Sequence, residues 1–134
     1  MSLERFVEAQ EGVYPRALAE LEAGKKQSHW MWFIFPQIAG LGHSAMAQMY
    51  AIASLDEAKV YLAHPVLGAP LRECCRVVQD VKGKSAHAIF GSPDDLKFRS
   101  SLTLFDLAAP NDIFRAALDK YFDGKEDDLT LARL

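Results

Sequence analysis

The sequence predicts an all-α protein, a compact single domain over residues 1–134 built as an orthogonal bundle of about seven to eight short helices. Three observations lead there. Apolar residues recur at three- and four-residue spacing in most segments; those segments are bracketed by serine, aspartate, proline or glycine signals that start and stop helices; and no segment offers itself as the partner of a lone strand.

Taken in order, Leu3, Phe6, Val7 and Gln10 share one helical face, with Ser2 as a cap and Glu4 in the first turn. Tyr14-Pro15 opens a second helix in which Ala17, Leu18 and Leu21 point inward, Gly24 stops the helix, and Lys25-Lys26 sit at its negative end. Ser28 to Gln37 comes next, and its six consecutive large apolar residues, Trp30 to Phe35, must be wrapped on every side. Propensity favours a strand there, but an unpaired strand cannot satisfy its backbone, so a short helix ended by Pro36 is expected. Ile38 to His43 holds two glycines and reads as a loop, after which Ser44 caps a helix through Met46, Met49, Tyr50 and Ile52.

Ser54 and Glu57 form a capping box for a helix burying Leu55, Ala58 and Leu62, which His64-Pro65 breaks. Val66 to about Val81 is helical through Leu67, Leu71, Cys74 or Cys75 and Val78, with Pro70 near its start and Gly83 beyond it. A single turn, Ser85 to Phe90, stops at Gly91. The strongest start signal follows: Ser92 as cap, Pro93 first inside, and Asp94 and Asp95 in the first turn of a helix reaching Ala108, with Leu102, Phe105 and Leu107 inward. Asn111 is placed to cap a helix whose Ile113, Phe114, Leu118 and Phe122 face the core before Gly124. Glu126 to Leu134 supplies a short last helix.

Composition bounds the function. Half the residues are apolar and 25% are charged, enough to fold alone, and roughly two thirds of the unfolded surface is buried by a chain of this size. A net charge of -3 gives no general attraction to nucleic acid or anionic lipid, so neither is expected as a partner. The neighbouring Cys74 and Cys75 diverge on a helix and read as free thiols, consistent with a reducing cytoplasm. Apolar runs are too short to span a bilayer, and the early acidic residues do not fit a signal peptide. A cytoplasmic protein, monomeric or homodimeric, without a cofactor, is expected.

Two stretches stand out together. They are Lys26 to Gln37 with Gly40 to Ser44, and Lys97 to Phe105 with Tyr121 to Thr130. Over nearly the whole chain they resemble a bacterial domain-of-unknown-function family, DUF1810, which genomes often label "calpastatin". The resemblance implies a small all-helical single-domain protein and carries no catalytic residue. The label itself does not suit the chain, since a calpain-inhibitor segment is a polar, disordered one and this composition folds.

The same stretches hold the candidate chemistry. Histidine as a residue type suits proton transfer near neutral pH, so His29 is a candidate acid or base, or else a partner of a carbonyl or carboxylate at a helix start. Trp30 and Trp32 are candidates to stack a base or sugar; they diverge by about 200° on a helix, so one of them at least belongs to the core. Gln37 and Ser44 are candidate hydrogen-bonding partners of a ligand, with loop and cap duties as the alternative.

On the later helix Lys97, Ser100 and Ser101 share a face, a cation beside two hydroxyls that suits phosphate or carboxylate, with Arg99 and Thr103 close by. The plain alternative pairs Lys97 with Asp94 and turns the serines back onto carbonyls. Asp127 would bring a carboxylate to the same place and serve as a second proton carrier, or simply begin a solvated helix. No metal site is expected, because His29, His43, His64 and His87 form no pair at ligand spacing. The expectation is a pocket between residues 28–37 and 93–108 that binds an anionic, nucleotide-like small molecule, with its hydrolysis or modification as the option for a reaction. The competing expectation is an interaction module whose aromatic stretch is only core.

Overall fold

The computed structural model describes residues 3–134. Ten helices follow one another: α1 (Glu4–Gln10), α2 (Tyr14–Glu22), α3 (Met31–Ile34), α4 (Ala45–Met49), α5 (Leu55–Ala63), α6 (Gly68–Asp80), α7 (Ala86–Phe90), α8 (Asp94–Ala108), α9 (Phe114–Phe122) and α10 (Asp128–Leu131). The all-α class stands; ten helices among the described residues exceed the seven to eight expected, and α3, α4, α7 and α10 are each only four or five residues long.

The molecule is organised around α8. Ser100 through Asp106 are all buried, so this part of the helix is enclosed on every side instead of showing one wet face. It packs against α5, α7, α9 and α10. The aromatic stretch reaches it through Phe35, whose ring lies 5.0 Å from Phe98 and 6.0 Å from Phe90, while Phe90 stacks on Phe98 at 4.6 Å. A second aromatic chain runs from Phe6 to Tyr61 to Phe105 to Phe114, tying α1, α5, α8 and α9 into the same core. The two stretches singled out in the sequence therefore meet.

Local signals worked where the cap lies within one turn. Ser44, Ser54 and Ser85 each accept a hydrogen bond from the backbone three residues on, at 3.1 Å. The aromatic run is a single helical turn, with Trp30 before it and Phe35 after it.

Four details differ. The helix after Ser44 ends at Met49, and Ile52 instead pairs in one parallel bridge with Ile38, because Pro36 ends α3 and leaves the backbone of the next residues in need of partners. Ala39 N–H and Ile52 N–H supply the two bonds, to Ile52 and Gln37 carbonyls, at 2.8 Å each. Val66 and Leu67 precede α6, in a turn where the His64 ring accepts the Val66 N–H at 3.0 Å. Ser92 does not cap α8: the chain turns at Gly91, with φ +73°, and its carbonyl takes the Asp95 N–H at 2.9 Å, leaving Ser92 exposed outside the helix. Asn111 does not cap α9, which begins at Phe114 with Asp112 bonding the Ile113 N–H at 2.7 Å. Ser2, expected to cap α1, lies outside the described residues.

Candidate functional site

The site is assembled by three polar arrangements, the first of which fixes the loop between α2 and α3. Glu20 receives the Gln27 and Ser28 amides and the Trp30 indole on Oε1 at 2.7, 2.9 and 3.0 Å, and the Ser28 hydroxyl on Oε2 at 2.5 Å. Desolvation on burial pushes this carboxyl upward, but the four donors outweigh it and hold it down at about 2. Trp30 is thereby locked into the core at 0% exposure.

The second arrangement is at the start of α8. Asp94 lies 2.9 Å from Lys26 Nζ and 3.6 Å from Lys97 Nζ. Each lysine also stands over an indole, Lys26 over Trp30 at 5.0 Å and Lys97 over Trp32 at 5.4 Å. Lys97 thus covers one face of half-buried Trp32.

The third holds residues 124–127 against α8. Arg99 donates to the Lys125 and Glu126 carbonyls at 2.8 and 2.7 Å. Thr103 Oγ1 accepts the Asp127 N–H at 2.9 Å while donating to the Arg99 carbonyl at 2.9 Å. Buried Asp106 takes Arg115 on Oδ2 at 2.8 and 3.1 Å, and Arg115 reaches on to Glu126 and the Gly124 carbonyl. Desolvation opposes the Arg115 charge, but Asp106 and Glu126 more than offset it and raise its pKa. Asp127, so placed, caps α10: Oδ2 receives the Thr130 amide at 3.0 Å, the Thr130 hydroxyl at 2.6 Å and the Ser100 hydroxyl at 3.0 Å.

Between these elements lies an open hollow of about 380 Å³. Gln37, Lys97, Arg99, Ser100 and Asp127 supply its polar wall, and Leu41, Leu96 and Leu129 much of the apolar one. Four of the residues nominated from the sequence, Gln37, Lys97, Ser100 and Asp127, come together here. The other six do not line it. His29 is exposed, Trp30 is core, and Trp32 stands behind Lys97. Ser44 is the cap of α4. Thr103 spends its hydroxyl on Arg99 and Asp127. Ser101 is 1% exposed and turned inward, its hydroxyl without a hydrogen-bond partner among the described residues.

Sequence reading passed over several residues that the structure makes important. Glu20 gave no signal, because its four donors lie beyond a glycine turn. Arg133 gave none either, being isolated near the end of the chain. Asp106 and Arg115 are nine residues apart on different helices, a separation no helical spacing rule pairs. Among the described residues no group of three His, Cys, Asp or Glu stands where it could hold a metal ion, and no helix is long and apolar enough to cross a membrane.

An all-helical protein with α8 at its centre and a hollow beside the start of that helix is what the fold defines. The model of the family described as "Protein of unknown function (DUF1810)" matches residues 1–134, and the chain belongs to that family. Among solved structures it is similar to the conserved hypothetical protein Rv1873 from Mycobacterium tuberculosis, with 53% sequence identity, a TM-score of 0.96, and coverage of 98% of this chain and 95% of that one. No curated protein matches the chain.

Proposed function

We propose that the hollow beside the first turns of α8 binds an anionic small molecule, nucleotide-like in joining a phosphate to a flat or hydroxyl-rich body. One observation carries this reading. Two cations line the hollow, Lys97, which also faces Asp94 at 3.6 Å, and Arg99, whose Nη1 makes no hydrogen bond among the described residues, together with the Gln37 side chain, which makes none either, and with Leu41 and Leu129. Asp127, the one carboxylate among the described residues of the wall, already takes three hydrogen bonds on Oδ2. A guanidinium and an ammonium beside an amide suit a phosphate oxygen set, and apolar walls suit the rest of such a molecule. Hydrolysis or transfer at the bound ligand would fall to Asp127 Oδ1, which makes no hydrogen bond among the described residues, while exposed His29 lies off the wall.

A thermal-shift screen of nucleoside phosphates and sugar phosphates tests this, because a ligand of the folded state raises its stability by about 2.7 kcal/mol at a hundred times its Kd. The expected result is a raised melting temperature for at least one anionic compound, with its affinity about tenfold weaker in Lys97→Gln. No shift with any anionic compound, or an unchanged affinity in Lys97→Gln, overturns the reading.

Leu96 and Leu129 favour a second reading, since both flank the hollow at 55% and 67% exposure and would seat an apolar side chain of a partner protein or second copy. Sedimentation across a concentration series separates the two: self-association lost in Leu129→Ser supports the second reading, and a monomer at all concentrations removes the second copy.

A further inference from the structure

Leu41 and Leu129 also line a second depression of about 460 Å³, whose remaining wall includes Gly40, His43 and Arg133. The two depressions share Leu41 and Leu129 as common walls, with Lys97 and Arg99 lining the first and Arg133 and His43 the second.

Arg133 is seated there by the absence of a side chain at Gly40. A Cβ at that position would stand 2.6 Å from Arg133 Nη1 and 2.8 Å from Cζ, so the guanidinium lies in the place another residue would fill. Gly40 also has φ +97°, which a side chain would strain. Arg72 and Arg115 are paired with carboxylates, and Arg99 gives Nε and Nη2 to two carbonyls, which leaves its Nη1. The Arg133 guanidinium has no hydrogen-bond or ion-pair partner among the described residues, and none of the described residues lining its depression is a carboxylate. A planar, unpaired guanidinium beside an imidazole is suited to a second phosphate or carboxylate.

We propose that the ligand carries two anionic groups, one held by Lys97 and Arg99 and the other by Arg133 with His43, joined by a linker that crosses Leu41 and Leu129. This inference rests on the binding reading above and adds a second anchor to it. Joining two modest anion sites makes the second contact intramolecular, so a linker of matching length gains affinity well beyond the statistical factor of about two.

The test is calorimetric titration at low ionic strength with alkyl monophosphonates and a series of α,ω-alkane bisphosphonates of increasing length, on the full chain and on Arg133→Gln and Lys97→Gln. One bisphosphonate length is expected to bind about tenfold or more tighter than its monophosphonate counterpart. Arg133→Gln should bring that compound down to the monophosphonate affinity while leaving the monophosphonate itself within about twofold, and Lys97→Gln should weaken both. Arg133 is exposed, so an unchanged melting curve is expected for its variant. If monophosphonates bind and no bisphosphonate exceeds twofold, or if Arg133→Gln weakens the monophosphonate equally, the second anchor is overturned and the first depression keeps its reading. If neither series binds, both readings fall together.

Discussion

Ser101 shows how one hydroxyl separates packing from function. Serine is a poor helix former, and its place between Phe98 and Phe105 reads in the sequence as a sign of a binding site. The structure buries it at 1% exposure with its Oγ unpaired among the described residues, away from the hollow, whereas Ser100 one residue earlier bonds Asp127 on the wall of the hollow. A buried hydroxyl without a partner costs on the order of 1 kcal/mol or more. Ser101→Ala is therefore expected to raise stability by about 1 kcal/mol and to leave anion binding unchanged. Urea unfolding and the thermal-shift screen check the two halves; a loss of binding would return Ser101 to the site. Cys74 and Cys75 give the opposite lesson, since burial pushes both thiols up to about 12 and leaves them as packing residues.

Among the elements, the corner between α5 and α6 has the least freedom. A Cβ on Gly68 would lie 2.1 Å from the Leu62 carbonyl oxygen, an atom of the backbone that cannot rotate aside. The same carbonyl accepts from Arg72 Nη1 at 3.2 Å, so the first turn of α6 is pressed onto the end of α5. Gly68→Ala should lose about 1–3 kcal/mol, the range of overpacking that forces backbone movement, read by urea denaturation; a loss under about 0.5 kcal/mol would show that the corner opens freely. Boundaries of this kind were partly legible beforehand. Ser44, Ser54 and Ser85 cap helices whose next three residues alone decide the matter. Ser92 and Asn111 carry the same local signal and do not cap, because Gly91 and Asp112 turn the chain at other points.

At the scale of the molecule, one carboxylate pins the aromatic stretch to the rest. Glu20 gathers the Gln27, Ser28 and Trp30 donors and sits at about 2, below its ordinary value of 4.5. A carboxyl depressed on folding contributes stability that is complete above its unfolded value and is lost as pH falls toward its folded one. The contribution is therefore expected to fade between about pH 4.5 and about pH 2. Glu20→Gln should be less stable than the natural chain at neutral pH, with the difference shrinking through that window in denaturation curves. A difference that stays constant down to about pH 2 would show that the hydrogen bonds, and not the charge, hold the loop.

Helix content and most helix positions followed from residue order, because capping, glycine stops and apolar spacing act within a turn or two of chain. Residue order also brought Gln37, Lys97, Ser100 and Asp127 to notice. What it left open is how α8 is rotated. From Ser100 to Asp106 every position is enclosed, so no stripe distinguishes an inner face from an outer one, and Ser100 and Ser101 look alike until the neighbours are placed. Only the packing of α5, α7, α9 and α10 around that helix decides which hydroxyl meets the hollow. The seating of Arg133 against Gly40 is likewise a contact between distant parts of the chain, which no local spacing encodes.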